Sequence, residues 1–237
     1  MAEELTRRKL FATAGAAVAI DATARTTGAG GAARGPAGGL KIVGVACSPR
    51  KGKTTATSLK ICLEAAAQVD RRIETELIEL AGMVINGAPS AGLTMPTGHP
   101  DDFAKLVPKL GDAKVGGIII GTPVYFNNMS YLCKAFLDRC IAFRKNNFAL
   151  SDKVGGALAV GAARNGGQEL TIQSVQSALM CQEMIIVGDK RPGARMGAAL
   201  WNNAKDDITA DEAGIAAARN LGRRVAEVAL KLRGAGN

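Results

Sequence analysis

The chain has 237 residues, with 30 lysines and arginines against 21 aspartates and glutamates, a formal charge of +9 and 4% aromatic residues. That length suits one domain with a well-buried core, with or without an appendage. The basic residues are scattered and few aromatics are available to stack on bases, so the charge reads as solvated surface plus a small anionic ligand, and nucleic acid is not an expected partner.

The chain opens on TRRKLFATAGAAVAIDATA, in which Arg7 and Arg8 precede a short, weakly apolar, alanine-rich segment. It is too short to span a bilayer. Thr6, Arg7, Arg8 and Lys9 match the start of a twin-arginine export motif, although Leu10 and Phe11 stand in swapped order and Ala12 replaces the usual lysine. Small residues at Ala22 and Ala24, or at Ala17 and Ala19, offer cleavage sites. Residues 1–24 are therefore expected to be a signal peptide that carries the protein to the periplasm and leaves no stable membrane span after processing; a cytoplasmic protein with a helical or unfolded tail is the alternative. Residues 25–39, rich in Gly and Ala, cannot bury a core and read as a flexible linker.

The expected folded domain, residues 40–233, alternates strand and helix patterns. KIVGVA (41–46) is a buried strand, and TTATSLKICLEAAAQ places Leu59, Leu63 and Ala66 on one helical face. ETELIEL (74–80) alternates like a strand near a sheet edge. A long Gly/Pro-rich stretch (82–100) follows, with the single histidine, His99, which reads as a surface loop residue rather than a proton donor. Asp101 is placed to cap DFAKLVPKL. Further along, GGIIIG (116–121), VGGALAVG (154–161) and EMIIVGD (183–189) are buried strands, separated by the helices NMSYLCKAFLDRCIAF and GQELTIQSVQSALMC. A last helix carries Ile215, Ala218, Leu221, Val225, Val228 and Leu232 at helical spacing. Continuous apolar strands between helices imply an α/β domain whose parallel sheet is covered on both faces. Right-handed crossovers make it doubly wound, and five strands suit the order 2-1-3-4-5.

Ligands of such sheets sit beyond the carboxyl ends of the strands, near the point where strand order reverses. CSPRKGKTT leaves the first strand and contains the GKT of a triphosphate loop. The resemblance stops there. Cys47 stands where the first glycine belongs, and Pro49 removes an N–H donor from the loop that ought to supply them, so an NTPase is disfavoured. The hydroxyls of Ser48, Thr54 and Thr55, an Arg50 or Lys53 cation and free N–H groups at a helix start instead suit a phosphate monoester. TPVYFNN brings Tyr125 and Phe126 to the same edge, where a flat ring could pack on them; core packing of one of the two is the alternative. AARNGGQE adds glycines that permit close backbone approach and Arg164, able to oppose a developing negative charge. Phosphate, planar ring and N–H donors in that order describe flavin mononucleotide, FMN.

The stretches VACSPRKGKTTATSL, GGIIIGTPVYFNNMSYLCKAFLDRC and GGALAVGAARNGGQELTIQSVQSAL resemble the NAD(P)H-dependent FMN reductases of the flavodoxin-like superfamily, the group that includes iron–sulfur flavoproteins. The resemblance implies that Ser48, Arg50, Thr54 and Thr55 bind the FMN phosphate, that Pro123, Val124, Tyr125, Phe126 and Asn127 line the ring, and that Arg164, Gly166 and Gly167 approach its pyrimidine edge. It also implies NAD(P)H as donor, a flavin, quinone or redox protein as acceptor, and a homodimer or homotetramer. An exported electron-transfer flavoprotein with a protein partner is the alternative. Two departures stand out. Lys53 and Thr54 replace the family's common Gly-Asn, and the 82–100 stretch lacks the cysteines that would hold a cluster. The five cysteines, Cys47, Cys62, Cys133, Cys140 and Cys181, form no C-x-x-C pair and read as reduced core thiols, so no metal is expected.

Overall fold

The computed structural model describes residues 39–95 and 97–234. The proposed signal peptide and nearly all of the linker lie outside the described residues. Among the described residues no helix is long and apolar enough to cross a membrane.

In chain order the elements are β1 (Leu40–Ala46), α1 (Thr54–Ala67), β2 (Ile73–Glu79), two short 3-10 turns, α2 (Val107–Gly111), β3 (Val115–Tyr125), β4 (Asn128–Met129), α3 (Tyr131–Arg139), α4 (Ile141–Lys145), β5 (Val154–Gly161), α5 (Gln168–Met180), β6 (Ile185–Ile186), β7 (Ala198–Trp201) and α6 (Glu212–Gly234). The main sheet is parallel with order β2-β1-β3-β5-β6, β7 also pairs with β5, and β4 folds back on the end of β3. The expected five positions in doubly wound order are therefore present, with the last position shared by two strand segments.

Both faces of the central strands are buried, and alternate residues feed two separate cores. Val43, Val45, Ile118, Ile120, Ala157 and Ala159 pack with α3, α5 and Phe103. Ile42, Ile119, Leu158 and Val160 pack with α1 and α6. Each large side chain buried this way contributes about 1.5–3 kcal/mol.

Three expectations need correction. EMIIVGD is not a full strand: only Ile185 and Ile186 pair with β5, Val187 adds one N–H bond to the Gly155 carbonyl, and the chain then leaves the sheet. It returns at Ala198–Trp201, a segment the periodicity left unassigned because four residues are too few to show a period. Asp101 does not cap a helix. Its carboxylate receives two N–H bonds from Arg139, at 2.9 and 2.8 Å, while Arg139 also donates to the Asn86 carbonyl and stacks on Phe103. The guanidinium holds the Asp101 carboxyl below the usual carboxylate range. This ion pair, with the Asp102 bonds to Val84, closes the neck of the long loop after β2. The helix expected after Asp101 is broken into a 3-10 turn, Phe103–Lys105, and α2, because Pro108 supplies no N–H to continue the ladder.

The C-terminal helix buries Gly214, Ala217, Ala218, Leu221, Gly222, Val225, Ala226 and Ala229, whereas Leu232 is exposed. Small residues dominate this seam because α6 lies against α1: a Cβ on Gly222 would overlap the Cys62 carbonyl. Gly222→Val is expected to lower stability by about 3 kcal/mol by forcing the two helices apart. Chemical denaturation of the variant and of the parent checks this, and equal midpoints would show that the seam is slack.

Candidate functional site

Four segments meet beyond the carboxyl ends of the strands. The first, 47–55, starts at Cys47, whose N–H donates to the Gly121 carbonyl of β3 and whose thiol is buried; desolvation pushes that thiol well up from its usual value, so it is an inert part of the core. Ser48, Thr54 and Thr55 are buried, while Arg50, Lys51, Gly52 and Lys53 are exposed. The Ser48 hydroxyl accepts the Arg50 N–H at 3.1 Å. Lys53 occupies the N-cap of α1 and supplies no side-chain acceptor, so the first amide N–H groups of the helix have no capping side chain. Aligned peptide dipoles add partial positive charge at that point.

The second segment is a two-residue hairpin. Tyr125 pairs with Asn128 and Val124 with Met129, leaving Phe126 and Asn127 at the tip with φ of 48° and 60°. Positive φ at both central residues is the type I′ geometry that matches strand twist. Phenylalanine pays for it sterically, and its side chain is fully exposed, as is much of Tyr125. Neither aromatic joins the core. Pro123, by contrast, is buried within β3 opposite Val160, and Val124 is half-buried.

Ser130, at the base of the hairpin, ties the first two segments together. Its hydroxyl donates to the Cys47 carbonyl at 2.6 Å and accepts the Cys133 N–H at 3.1 Å as the N-cap of α3, and its own N–H donates to the Thr122 hydroxyl at 3.1 Å. It was not singled out from sequence. A Ser before a helical run is a cap signal, but nothing local reveals a partner 83 residues away.

The third segment, 162–167, is folded by Gln168. Its amide donates to the Ala163 and Leu200 carbonyls at 2.7 and 3.1 Å, and its oxygen accepts the Gly166 N–H at 2.8 Å. Gly167 has φ of 100° and lies so close to the hairpin that a Cβ there would overlap Asn127. The absence of a side chain at Gly167 thus lets the third loop lie directly against Asn127 of the hairpin tip. Arg164 turns to a different neighbour: its guanidinium donates to Asp211 at 3.2 Å and lies 5.2 Å from the Trp201 ring centre.

The fourth segment, 201–211, follows β7. Asn202 donates from its side chain to the Thr54 hydroxyl at 3.4 Å and from its backbone to the Gly161 carbonyl at 2.9 Å. Asp206 pairs with both Arg50 and Lys53. Asp211 is buried; it accepts the Trp201 N–H and the Gly214 N–H at the start of α6. The Trp201 indole N–H is buried without an acceptor. No periodic pattern marks this segment or its strand; MGAALW ahead of NN is the signal the sequence offers.

These features fit a flavin nucleotide. An uncapped helix start beside three buried hydroxyls suits a phosphate, and an orphaned indole donor together with exposed aromatics at the sheet edge suits a polar, flat partner. They do not fit an iron–sulfur cluster. Cys47, Cys62, Cys133 and Cys140 are buried and Cys181 is exposed, and no group of three or more metal-binding side chains occurs among the described residues.

Comparison with known proteins agrees with the geometry. Residues 40–196 match the family model described as NADPH-dependent FMN reductase. An iron–sulfur flavoprotein of Methanocaldococcus jannaschii is 40% identical over 192 residues, covering 80% of this chain and 97% of the relative. An NAD(P)H dehydrogenase (quinone) of Acidithiobacillus ferrooxidans is 32% identical, covering 59% of this chain and 70% of the relative. Among solved structures, a flavodoxin, WrbA-like protein from Agrobacterium tumefaciens superposes with a TM-score of 0.53 at 20% identity, covering 81% of this chain and 98% of the other, which establishes the flavodoxin-like fold. With the family match spanning most of the folded domain, the chain belongs to the NADPH-dependent FMN reductase family and is an FMN-binding oxidoreductase.

Proposed function

We propose that the 47–55 loop holds the FMN phosphate and that the ring lies against the 123–127 hairpin and the 162–167 loop. The observation that carries this reading is the α1 start, which is uncapped and surrounded by the Ser48, Thr54 and Thr55 hydroxyls. Those hydroxyls and the first amide groups of α1 would donate to phosphate oxygens, with Arg50 and Lys53 supplying charge. Pro123, Val124, Tyr125, Phe126 and Asn127 would position one side of the ring, and the strained, exposed Phe126 would exclude water from it. Gly167, which already approaches the hairpin closely, would bring its backbone to the other side, beside Gly166, whose N–H is held by Gln168.

When bound, FMN supplies the redox chemistry, taking up a hydride and passing electrons on. The chain's own task is placement and electrostatics. Arg164 would oppose negative charge on the reduced ring, which requires it to exchange part of its contact with Asp211. No side-chain nucleophile is needed, and the family donor is NAD(P)H with a flavin, quinone or redox protein as acceptor.

The N-terminal Arg7–Arg8 pair supports a second element of the proposal, export of the folded protein to the periplasm. There the donor would be a periplasmic electron carrier or a quinol, because soluble NAD(P)H is cytoplasmic.

Ser48→Ala combined with Thr55→Val is expected to weaken FMN binding roughly tenfold or more, for the loss of two hydrogen bonds to a charged group. Titration by flavin fluorescence reads this directly, and unchanged affinity would remove the phosphate assignment. Replacing Arg7 and Arg8 together by lysine is expected to retain the protein in the cytoplasm; normal export on cell fractionation would remove the signal reading.

A further inference from the structure

Arg50 and Lys53 are already engaged by an anion that belongs to the chain. The Asp206 carboxylate receives the Arg50 guanidinium in a two-point pairing, Nη1 to Oδ2 at 2.9 Å and Nη2 to Oδ1 at 2.7 Å, and the Lys53 Nζ lies 3.5 Å from Oδ2. This is the fork geometry that arginine also uses on a phosphate. A second carboxylate, Glu79, accepts the Gly52 N–H of the same loop at 2.7 Å. The loop is thus met by two carboxylates from elsewhere in the chain, Asp206 on Arg50 and Lys53 and Glu79 on the Gly52 N–H.

The segment that delivers Asp206 is held under conformational strain. Asn203, Ala204 and Asp206 have φ of 50°, 54° and 57°. The left-handed region brings the Cβ of such a residue too close to the following carbonyl oxygen. Asn202 anchors one end of the segment through Thr54 and Gly161, and Ala204 donates to the Ala162 carbonyl at 3.1 Å. The Asp206 ion pairs secure the other end. The segment lies beyond residue 196, where the match to the family model ends.

We propose that Asp206 is a resident anion of the phosphate subsite, engaging Arg50 and Lys53 until a phosphomonoester displaces it, and that it thereby sets how strongly the site prefers FMN to riboflavin. The inference rests on the assignment of the FMN phosphate to the 47–55 loop. An incoming phosphate must either break the Asp206 pairs or accept a carboxylate beside it, and both outcomes lower its affinity. Riboflavin, which has no phosphate, meets neither cost. Displacement also frees the strained 203–206 turn, so cofactor loading is reported to solvent by that segment.

The test is titration of FMN and of riboflavin into the full chain and into Asp206→Asn, followed by flavin fluorescence. Asparagine tolerates the left-handed region, so the turn is kept while the charge is removed. FMN affinity is expected to rise roughly three- to tenfold with riboflavin affinity unchanged, and Asp206→Ala is expected to move in the same direction. Amide exchange at 203–206 is expected to quicken when FMN is added to the parent. FMN affinity that is unchanged or weaker in both variants, or riboflavin affinity that rises in parallel, would overturn the role of Asp206. If the parent binds FMN and riboflavin equally and the Ser48, Thr55 double variant binds like the parent, the phosphate assignment itself fails and takes the inference with it. A parent that prefers FMN while Asp206→Asn leaves that preference intact overturns only the inference.

Discussion

Burying both faces of three adjacent apolar strands is the constraint from which the rest of the molecule follows. β1, β3 and β5 alternate their side chains between two cores, so neither face can be left to water, and helices must cover both. Parallel strands can be joined only by crossovers, and right-handed crossovers deliver every strand end of the same sense to one edge. The gathering of 47–55, the hairpin, 162–167 and 201–211 at that edge is therefore a consequence of burial rather than a separate feature.

At that edge the chain combines rigidity with deliberate electrostatic balance. Ser130 fixes the base of the hairpin to the exit of β1 through one hydroxyl, and Gln168 folds the third loop with three bonds. Against this frame sit two ion pairs, Arg50 with Asp206 and Arg164 with Asp211. The Arg50–Asp206 pair is exposed on both sides and worth little as a source of stability, whereas Asp211 is buried and depends more on its partners. In the proposed role the two pairs keep cations oriented where the negative charge of FMN would arrive.

The sequence was most informative where a pattern was long and uniform. VGGALAVG and KIVGVA could only be buried strands, and TTATSLKICLEAAAQ carried its helical face plainly. The positions of the 47–55 loop and of TPVYFNN at the strand ends were legible because each lies directly after such a strand, whereas the hairpin pairing within TPVYFNNM was not. The fourth segment was not, because β7 has four residues and the preceding excursion hides its relation to β6. Asp101 misled for a related reason: a carboxylate before an apolar run is a cap signal, but Arg139, 38 residues later, offers it a stronger partner. Contacts between distant segments, such as Asp206 with Arg50, leave no local trace at all.

The divided outer strand has a consequence for how the molecule meets its neighbours. A sheet edge with a continuous row of unpaired N–H and C=O groups is a template on which another chain can add a strand. Here the row on the β6/β7 side is broken after Ile186 by the turn in which Asp189 binds the Arg195 N–H, and resumes only for the four residues of β7. The opposite edge, β2, carries Glu74, Glu76 and Glu79. Among the described residues, one border of the sheet offers only short runs of pairing groups and the other carries carboxylates, a pattern that disfavours edge-to-edge pairing between copies.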